Sequence, residues 1–324
     1  MTVDLTAPFP WFGGKRRVAD VVWRAFGNPP NYIEPFFGSG AVLLGRPGGA
    51  GKIETVNDID GAIPNFWRAV KADPDRVAEH CDWPVSEVDL HARHQFIVLR
   101  LKELRPQLLA DPEFYDAQLA GWWVWGICQW IGGGWGKTSG TTGKAFSPGR
   151  LPHLGSAGEG IHKTKLSAVG NNRGIFGVTA PPCRDWFRQL AVRLRGVRIC
   201  CGDWDRVLGE STRGKGKNVG GRRPCAIFFD PPYPHERRDS GCYAHDGKEV
   251  WFQVRDWAVE HGDDQDLRIA VCGYAGDFGE HEGWAEYAWR GARGYSSTTN
   301  DNRELERIWF SRWCLPFEQQ TELW

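Results

Sequence analysis

Apolar residues recur at helical spacing early in the chain. Val18, Val21, Val22, Ala25 and Phe26 share one face, so Lys15 to Phe26 reads as a helix. Tyr32-Ile33-Glu34 is a short strand running into Gly38-Ser39-Gly40, and Ile53 to Val56 is a second strand ending at Asn57-Asp58. Ala62 to Lys71 reads as a helix closed by Asp73-Pro74. Strands alternating with helices argue for a parallel sheet covered by helices. The middle differs. Ser86 to Leu109 is mostly helical, Trp122 to Trp135 is crowded with Trp and Gly, and Gly136 to Pro182 has weak periodicity with many Gly, Ser, Thr and Pro. Long irregular stretches of this kind are functional loop regions or linkers. The rhythm then resumes: a helix over Cys183 to Arg195, a strand over Val197 to Cys201 ending at Gly202-Asp203, and an apolar strand over Cys225 to Phe229 ending at Asp230. A helix over Lys248 to His261, a strand over Leu267 to Cys272 and a late strand within Leu305 to Trp313 follow, the last after a polar turn at Ser296 to Asn302. The pattern predicts one α/β sheet domain, residues 1–65 and 183–324, interrupted by a helical and loop module over 66–182.

Composition adds little to this and excludes some classes. The 324 residues are 41% hydrophobic and 25% charged, as in ordinary globular proteins. Forty basic and forty acidic residues balance, where a nucleic-acid binder usually carries a basic excess. The distribution is uneven, however. Lys137, Lys144, Arg150, Lys163, Lys165 and Arg173 face only Glu159 across their stretch, and Arg213, Lys215, Lys217, Arg222 and Arg223 have no acid among them. Both stretches are Gly-rich loops, which suit either solvated charge or contact with a polyanion. Eighteen Trp residues supply a very aromatic core or flat surfaces for stacking on bases. Nine cysteines show no paired metal-ligand spacing and read as reduced, buried small hydrophobes, so no metal is expected. The start of the chain lacks a signal sequence, and Ala120 to Trp135 is too short and glycine-broken to span a membrane, which points to the cytoplasm.

Four segments carry candidate chemistry. The strand Ala226 to Phe229 delivers Asp230-Pro231-Pro232-Tyr233 to its carboxyl end, the edge where open α/β sheets bind ligands. The prolines stiffen the backbone and donate no N–H, so a carboxylate, a rigid carbonyl and an aromatic face are presented together. That set suits a planar ring bearing an amino group, although Asp-Pro and Pro-Pro also punctuate ordinary turns. Glu34-Pro35-Phe36-Phe37-Gly38-Ser39-Gly40 follows a strand with a turn whose glycines let backbone approach a ligand, or simply turn. Asn57-Asp58-Ile59-Asp60 ends a strand with acids suited to ribose hydroxyls or to capping the next helix, and Asp203 poses the same choice. Trp11-Phe12-Gly13-Gly14-Lys15 joins an aromatic, a turn and a cation. Lys15 suits a carboxylate partner, such as that of an amino-acid-bearing cofactor, or plain solvent.

Together and in this order the segments resemble the Dam-type adenine-specific DNA methyltransferases. The opening Trp11 to Lys15 is similar to that family's first motif, Glu34 to Gly40 to its cofactor loop, Asn57 to Asp60 to its acidic motif and Asp230 to Tyr233 to its catalytic tetrapeptide. The resemblance implies a Rossmann-like methyltransferase sheet with S-adenosyl-L-methionine as cofactor and double-stranded DNA as partner, in a monomer or weak dimer. It implies cofactor contacts from Trp11, Lys15, Asp58 and Asp230, a loop shaped by Phe37, Gly38 and Gly40, and Asp203 near the cofactor's adenine. Residues 66–182 would recognise the target, although the Trp- and Gly-rich middle and the basic insert 213–223 match no familiar recognition module and leave the target sequence open.

The implied reaction is direct transfer of a methyl group to the exocyclic N6 of a flipped-out adenine. Hydrogen bonds from the amine to the Asp230 carboxylate and the Pro231 carbonyl would localise its lone pair, while Tyr233 stacks on the ring. The same loop logic suits the exocyclic amine of cytosine or a side-chain amide, and a non-catalytic DNA-binding subunit could keep the fold. Asp at position 230 with the Trp11 to Lys15 motif favours adenine by resemblance.

Overall fold

The computed structural model describes residues 5–9, 11, 14–83, 86–130, 135–136, 183–214, 224–234, 248–290 and 306–316. Its centre is a seven-stranded sheet in the order β3-β2-β1-β4-β5-β7-β6. The strands are β1 (Asn31–Glu34), β2 (Ile53–Asp58), β3 (Val197–Cys201), β4 (Cys225–Phe229), β5 (Leu267–Tyr274), β6 (Ala285–Ala288) and β7 (Glu306–Phe310). The first five pair in parallel, and β7 is antiparallel to both β5 and β6. With nine helices among the described residues, this is the methyltransferase Rossmann-like fold that the sequence implied.

Alternation along the strands sorts side chains to two faces. Tyr32, Ala226, Phe228, Ala270, Ile308 and Phe310 enter one apolar cluster, while Ile33, Ile227, Phe229, Ile269, Val271 and Trp309 enter the other. Every residue of β1 and of β4 is buried, because helices cover both faces. One face carries α1 (Ala19–Phe26), α3 (Ala62–Ala72), α4 (Pro74–Cys81), α5 (Glu87–Ala110), α6 (Ala117–Gln129) and α7 (Cys183–Leu194), with the one-turn α2 (Ala41–Leu44) beside the sheet, whereas the short α8 (Glu210–Arg213) follows Val207 and Leu208 of the second cluster. The other carries α9 (Lys248–His261) through Trp251, Val254 and Ala258.

Three helix starts follow from their capping residues. The Asp73 carboxylate accepts from Arg76 N with Pro74 in the first turn, Ser86 accepts from Asp89 N, and Asp116 accepts from Leu119 N. The expected helix over Lys15 to Phe26 is divided: Lys15–Arg17 form a 3-10 turn, and α1 begins beyond Val18, whose ψ is −4°. The crowded Trp and Gly segment is helical up to Gln129, within α6. Its glycines are points of close approach, since a Cβ on Gly121 would stand 2.7 Å from Val77 O on α4 and one on Gly126 would strike the Trp135 ring. The boundary expected at 65/66 falls inside α3, whose Phe66 and Trp67 share an apolar cluster with the sheet, so the start of the interposed segment is continuous with the sheet's core.

A buried ion cluster ties the far edge together. Glu54 at the start of β2 accepts from Arg193 of α7 at 2.7 and 3.0 Å and from Arg46 at 3.2 Å. The eight described cysteines are free thiols, six of them buried, as their spacing implied. Among the described residues no helix is long and apolar enough to cross a membrane. The basic stretch 137–173, most of 213–223 and the turn at 296–302 lie outside the described residues.

Candidate active site

Strand order reverses between β1 and β4. The chain winds outward from β1 to β2 and β3, then returns to place β4 on the other side of β1. In such sheets the crevice beyond the carboxyl ends of the two central strands receives the ligand. The loop Glu34 to Gly40 leaves β1 at that point, and Asp230 leaves β4 there. Because β7 runs antiparallel, its first residue, Glu306, lies at the same edge, opposite Tyr274 at the end of β5.

The β1 side is built from side chains bonded to backbone groups. Asn57 Nδ2 donates to Pro35 O at 3.1 Å and to Gly202 O at 2.9 Å, lacing together the ends of β1, β2 and β3. Gly38 N donates to Asp58 Oδ2 at 2.9 Å, and Asp60 N donates to Asp58 Oδ1 at 3.0 Å. Asp60, not Asp58, supplies a carboxylate to the next helix, accepting from Ala62 N at 3.0 Å. Burial, and then the charge of Asp60, push the Asp58 carboxyl up to about 7. Gly38 and Gly40 have φ of 47° and 64°, which favours glycine. Trp11 packs so closely that a Cβ on Gly38 would lie 2.3 Å from its indole nitrogen, while Trp67 Nε1 donates to Gly38 O at 3.0 Å. A Cβ on Gly40 would meet the Phe37 ring at 2.6 Å. Beyond β3, Asp203 is exposed, and its neighbour Trp204 lies parallel to Phe36, with centroids 6.4 Å apart and planes 21° apart.

The β4 side is built from charge. Lys15 is buried, and its Nζ lies 2.9 Å from Asp230 Oδ1. The same ammonium stands 5.3 Å from the Tyr233 ring centroid and 5.6 Å from that of Trp289, within cation–π range. Tyr233 directs its hydroxyl toward Glu306 Oε2 at 3.0 Å, with Asp230 Oδ1 at 3.4 Å, and its ring meets Tyr274 edge-on at 4.7 Å. Pro231 and Pro232 are buried. Burial raises the Glu306 carboxyl above the usual range, against the pull of Lys15. Below them Glu34 is buried and accepts from Tyr32 Oη at 2.8 Å, and its carboxyl is raised well above the usual range, again chiefly by burial.

Lys15, Asp230 and Tyr233 are thus brought together, and Trp11, Phe37, Gly38, Gly40 and Asp58 form a second group on the neighbouring strand ends. Lys15, read from sequence as a partner for a cofactor carboxylate, is paired with the carboxylate of Asp230 in this structure. Phe12 and Gly13 lie outside the described residues. The sequence reading missed Glu306, Tyr274, Trp289 and Trp204. The available signal for Glu306 was an acid at the head of an apolar strand, Glu306-Arg307-Ile308-Trp309-Phe310, but its meaning depends on that strand's direction. Among the described residues no three His, Cys, Asp or Glu side chains are grouped to hold a metal ion.

Residues 11–114 match the family model of the D12 class N6 adenine-specific DNA methyltransferases. Over these residues the chain is similar to that family. The similarity supports an enzyme that methylates adenine in DNA, in line with the Dam-type resemblance, and methyltransferases in general draw the methyl group from S-adenosylmethionine. The match takes in the Trp11 to Lys15 segment, the glycine loop, Asp58 and helices α3 to α5; Asp230 to Tyr233 lie beyond it. No curated protein matches the chain.

Proposed function

We propose that this protein binds S-adenosyl-L-methionine along the carboxyl ends of β1 and β2. It then transfers the methyl group to N6 of an adenine flipped out of double-stranded DNA onto Asp230-Pro231-Pro232-Tyr233. The observation that carries this reading is the meeting of Lys15, Asp230 and Tyr233 at the strand-order reversal, beside the clamped glycine loop.

The cofactor site fits on the chemistry of its donors. Gly38 and Gly40 form a positive-φ turn on which the Trp11 and Phe37 rings close, Asp58 offers a carboxylate to a ribose diol, and Phe36 and Trp204 offer aromatic surface beside Asp203. Asn57 Oδ1 is buried with no hydrogen-bond partner among the described residues, leaving an unused acceptor beneath the loop. Bound there, the cofactor supplies a methyl group activated on a sulfonium. The protein's own work is positioning and electrostatics.

The adenine amine is a weak nucleophile because its lone pair is delocalised into the ring. Its two protons would be accepted by Asp230 and by the Pro231 carbonyl, and both contacts strengthen as the nitrogen gains positive charge, so they favour the transition state over the ground state. The partly buried Asp230 is held in place by Lys15 at 2.9 Å. Extruding the base costs a few kcal/mol, which stacking on Tyr233 offsets by about 1–3 kcal/mol. The segments between α6 and α7 and around 213–223 would meet the duplex. The test is sequencing for modified adenine in DNA from cells expressing the wild-type chain or Asp230→Ala. Methylation at one sequence in the first and none in the second is expected. Equal methylation in both would overturn the assignment of Asp230.

A further inference from the structure

The Tyr233 hydroxyl has one proton and two carboxylates within reach. Glu306 Oε2 is 3.0 Å away and Asp230 Oδ1 3.4 Å. A phenol donates one hydrogen bond, so these contacts are alternatives, and the shorter belongs to Glu306. Asp230 Oδ1 already accepts from Lys15 Nζ at 2.9 Å. A carboxylate oxygen that also took the phenol proton would be a poorer acceptor for anything else, because each charge-assisted bond stabilises its lone pairs.

Glu306 is placed to prevent this. It heads β7 opposite Tyr274, whose ring lies edge-on to Tyr233, and it is only 7% exposed, so little solvent competes for its oxygens. Its backbone carbonyl accepts from Trp289 N at 3.2 Å, which pins the strand end and brings in the indole that stands over Lys15.

We propose that Glu306 is a positioning residue that draws the Tyr233 hydroxyl proton away from Asp230, keeping Asp230 available as an acceptor for the substrate amine. The role rests on the reading of Asp230 as the acceptor of that amine. It assigns to the antiparallel strand a part in the chemistry, exerted through Tyr233, and it explains a buried acid within reach of Asp230 that the transfer itself does not use.

Steady-state transfer of labelled methyl from S-adenosylmethionine to plasmid DNA lacking adenine methylation tests it, with thermal melts on the same samples. Glu306→Ala should lower kcat roughly tenfold while KM for cofactor and DNA stays within about twofold. Glu306→Gln, which keeps an acceptor for the phenol, should lose less than Glu306→Ala. Adding Tyr233→Phe to Glu306→Ala removes the misdirected proton and should recover at least about threefold of the loss. Where Glu306→Ala yields too little folded protein, Tyr233→Phe alone decides, since the proposal requires it to be faster than Glu306→Gln. A double variant no faster than Glu306→Ala would overturn the proposal, as would wild-type kcat in Glu306→Ala beside an inactive Asp230→Ala. Wild-type turnover by Asp230→Ala would instead overturn the underlying reading of the site.

Discussion

At the ends of β1 and β2 side chains hold the chain by its backbone groups, whereas at the end of β4 and the head of β7 charged side chains hold one another. The glycine loop is fixed by Gly38 N on Asp58, by Asn57 across three strand ends and by two indoles closing on Gly38. The other group is a lysine between aromatic rings, with the carboxylates of Asp230 and Glu306 both within reach of one phenol. The two constructions suit different tasks. Backbone contacts and steric limits shape a cradle and change little with a ligand's charge. A charge cluster in a partly dry site responds strongly to charge that develops during a reaction. Cofactor affinity should therefore follow the first group and turnover the second.

The sharpest separation should come from Asp230→Ala. Loss of the principal acceptor is expected to lower kcat by about 10³-fold or more, with cofactor binding at least partly intact by calorimetry. Lys15 would then lack its carboxylate while buried, so some loss of melting temperature should accompany the change. Tyr233→Ala should come next. Losing a stacking face worth about 1–3 kcal/mol predicts a fall in turnover of roughly 5- to 150-fold, larger than its effect on a thermal melt. The two groups would not be functionally distinct if Tyr233→Ala weakened cofactor affinity as much as turnover. Gly38→Ala should show the converse pattern. A left-handed φ and a Cβ driven into Trp11 are expected to cost about 1–3 kcal/mol of stability and to weaken cofactor binding by roughly tenfold, and kcat at saturating cofactor should change less. A titration followed by fluorescence of the many tryptophans measures the affinity directly.

The contrast between the two groups also explains what was legible in the sequence. The β1 loop and the β4 tetrapeptide each follow an apolar strand within a few residues, so strand, turn and chemistry can be read as one local pattern. The parallel order and both buried faces follow from the same runs, since Ala226 to Phe229 carries no polar residue to expose. Glu306 is 73 residues from Tyr233 in the chain. Nothing local shows that β7 runs antiparallel and so brings its head, rather than its tail, to the active edge. The helix α6 was obscured for another reason: Gly121 and Gly126 look like breakers, and their purpose appears only when the backbone of α4 and the ring of Trp135 are in place against them. Trp204 was passed over beside Asp203 because an indole on a short 3-10 turn has no periodic signature.

The smallest expected effect tests whether the β1 side is as insensitive to charge as the comparison supposes, because Asp58 is its one ionisable group with two backbone donors. Its carboxyl sits near 7, raised by burial and by Asp60, against an ordinary value of about 3.9 in the unfolded chain. For a raised acid the folded state holds the proton more tightly. Asp58 therefore leaves folding undisturbed below about pH 4, and the stability it permits is lost as pH rises toward and through 7. Asp58→Asn, which cannot ionise, should melt higher than wild type at pH 8 and much the same at pH 4. Cofactor binding should move the other way. A ribose diol donates to the ionised carboxylate, so affinity in the wild type should rise with pH between 6 and 8, by at most about tenfold per unit below the titration midpoint, with proton release seen as a buffer-dependent heat. Asp58→Asn should bind a few-fold more weakly at pH 8 and show a flat profile. A variant both more stable and weaker in binding at the same pH would mark Asp58 as a carboxylate kept for its ligand. A wild-type affinity that is level across this range would instead make Asp58 a brace for Gly38, and the first group would then be charge-insensitive throughout.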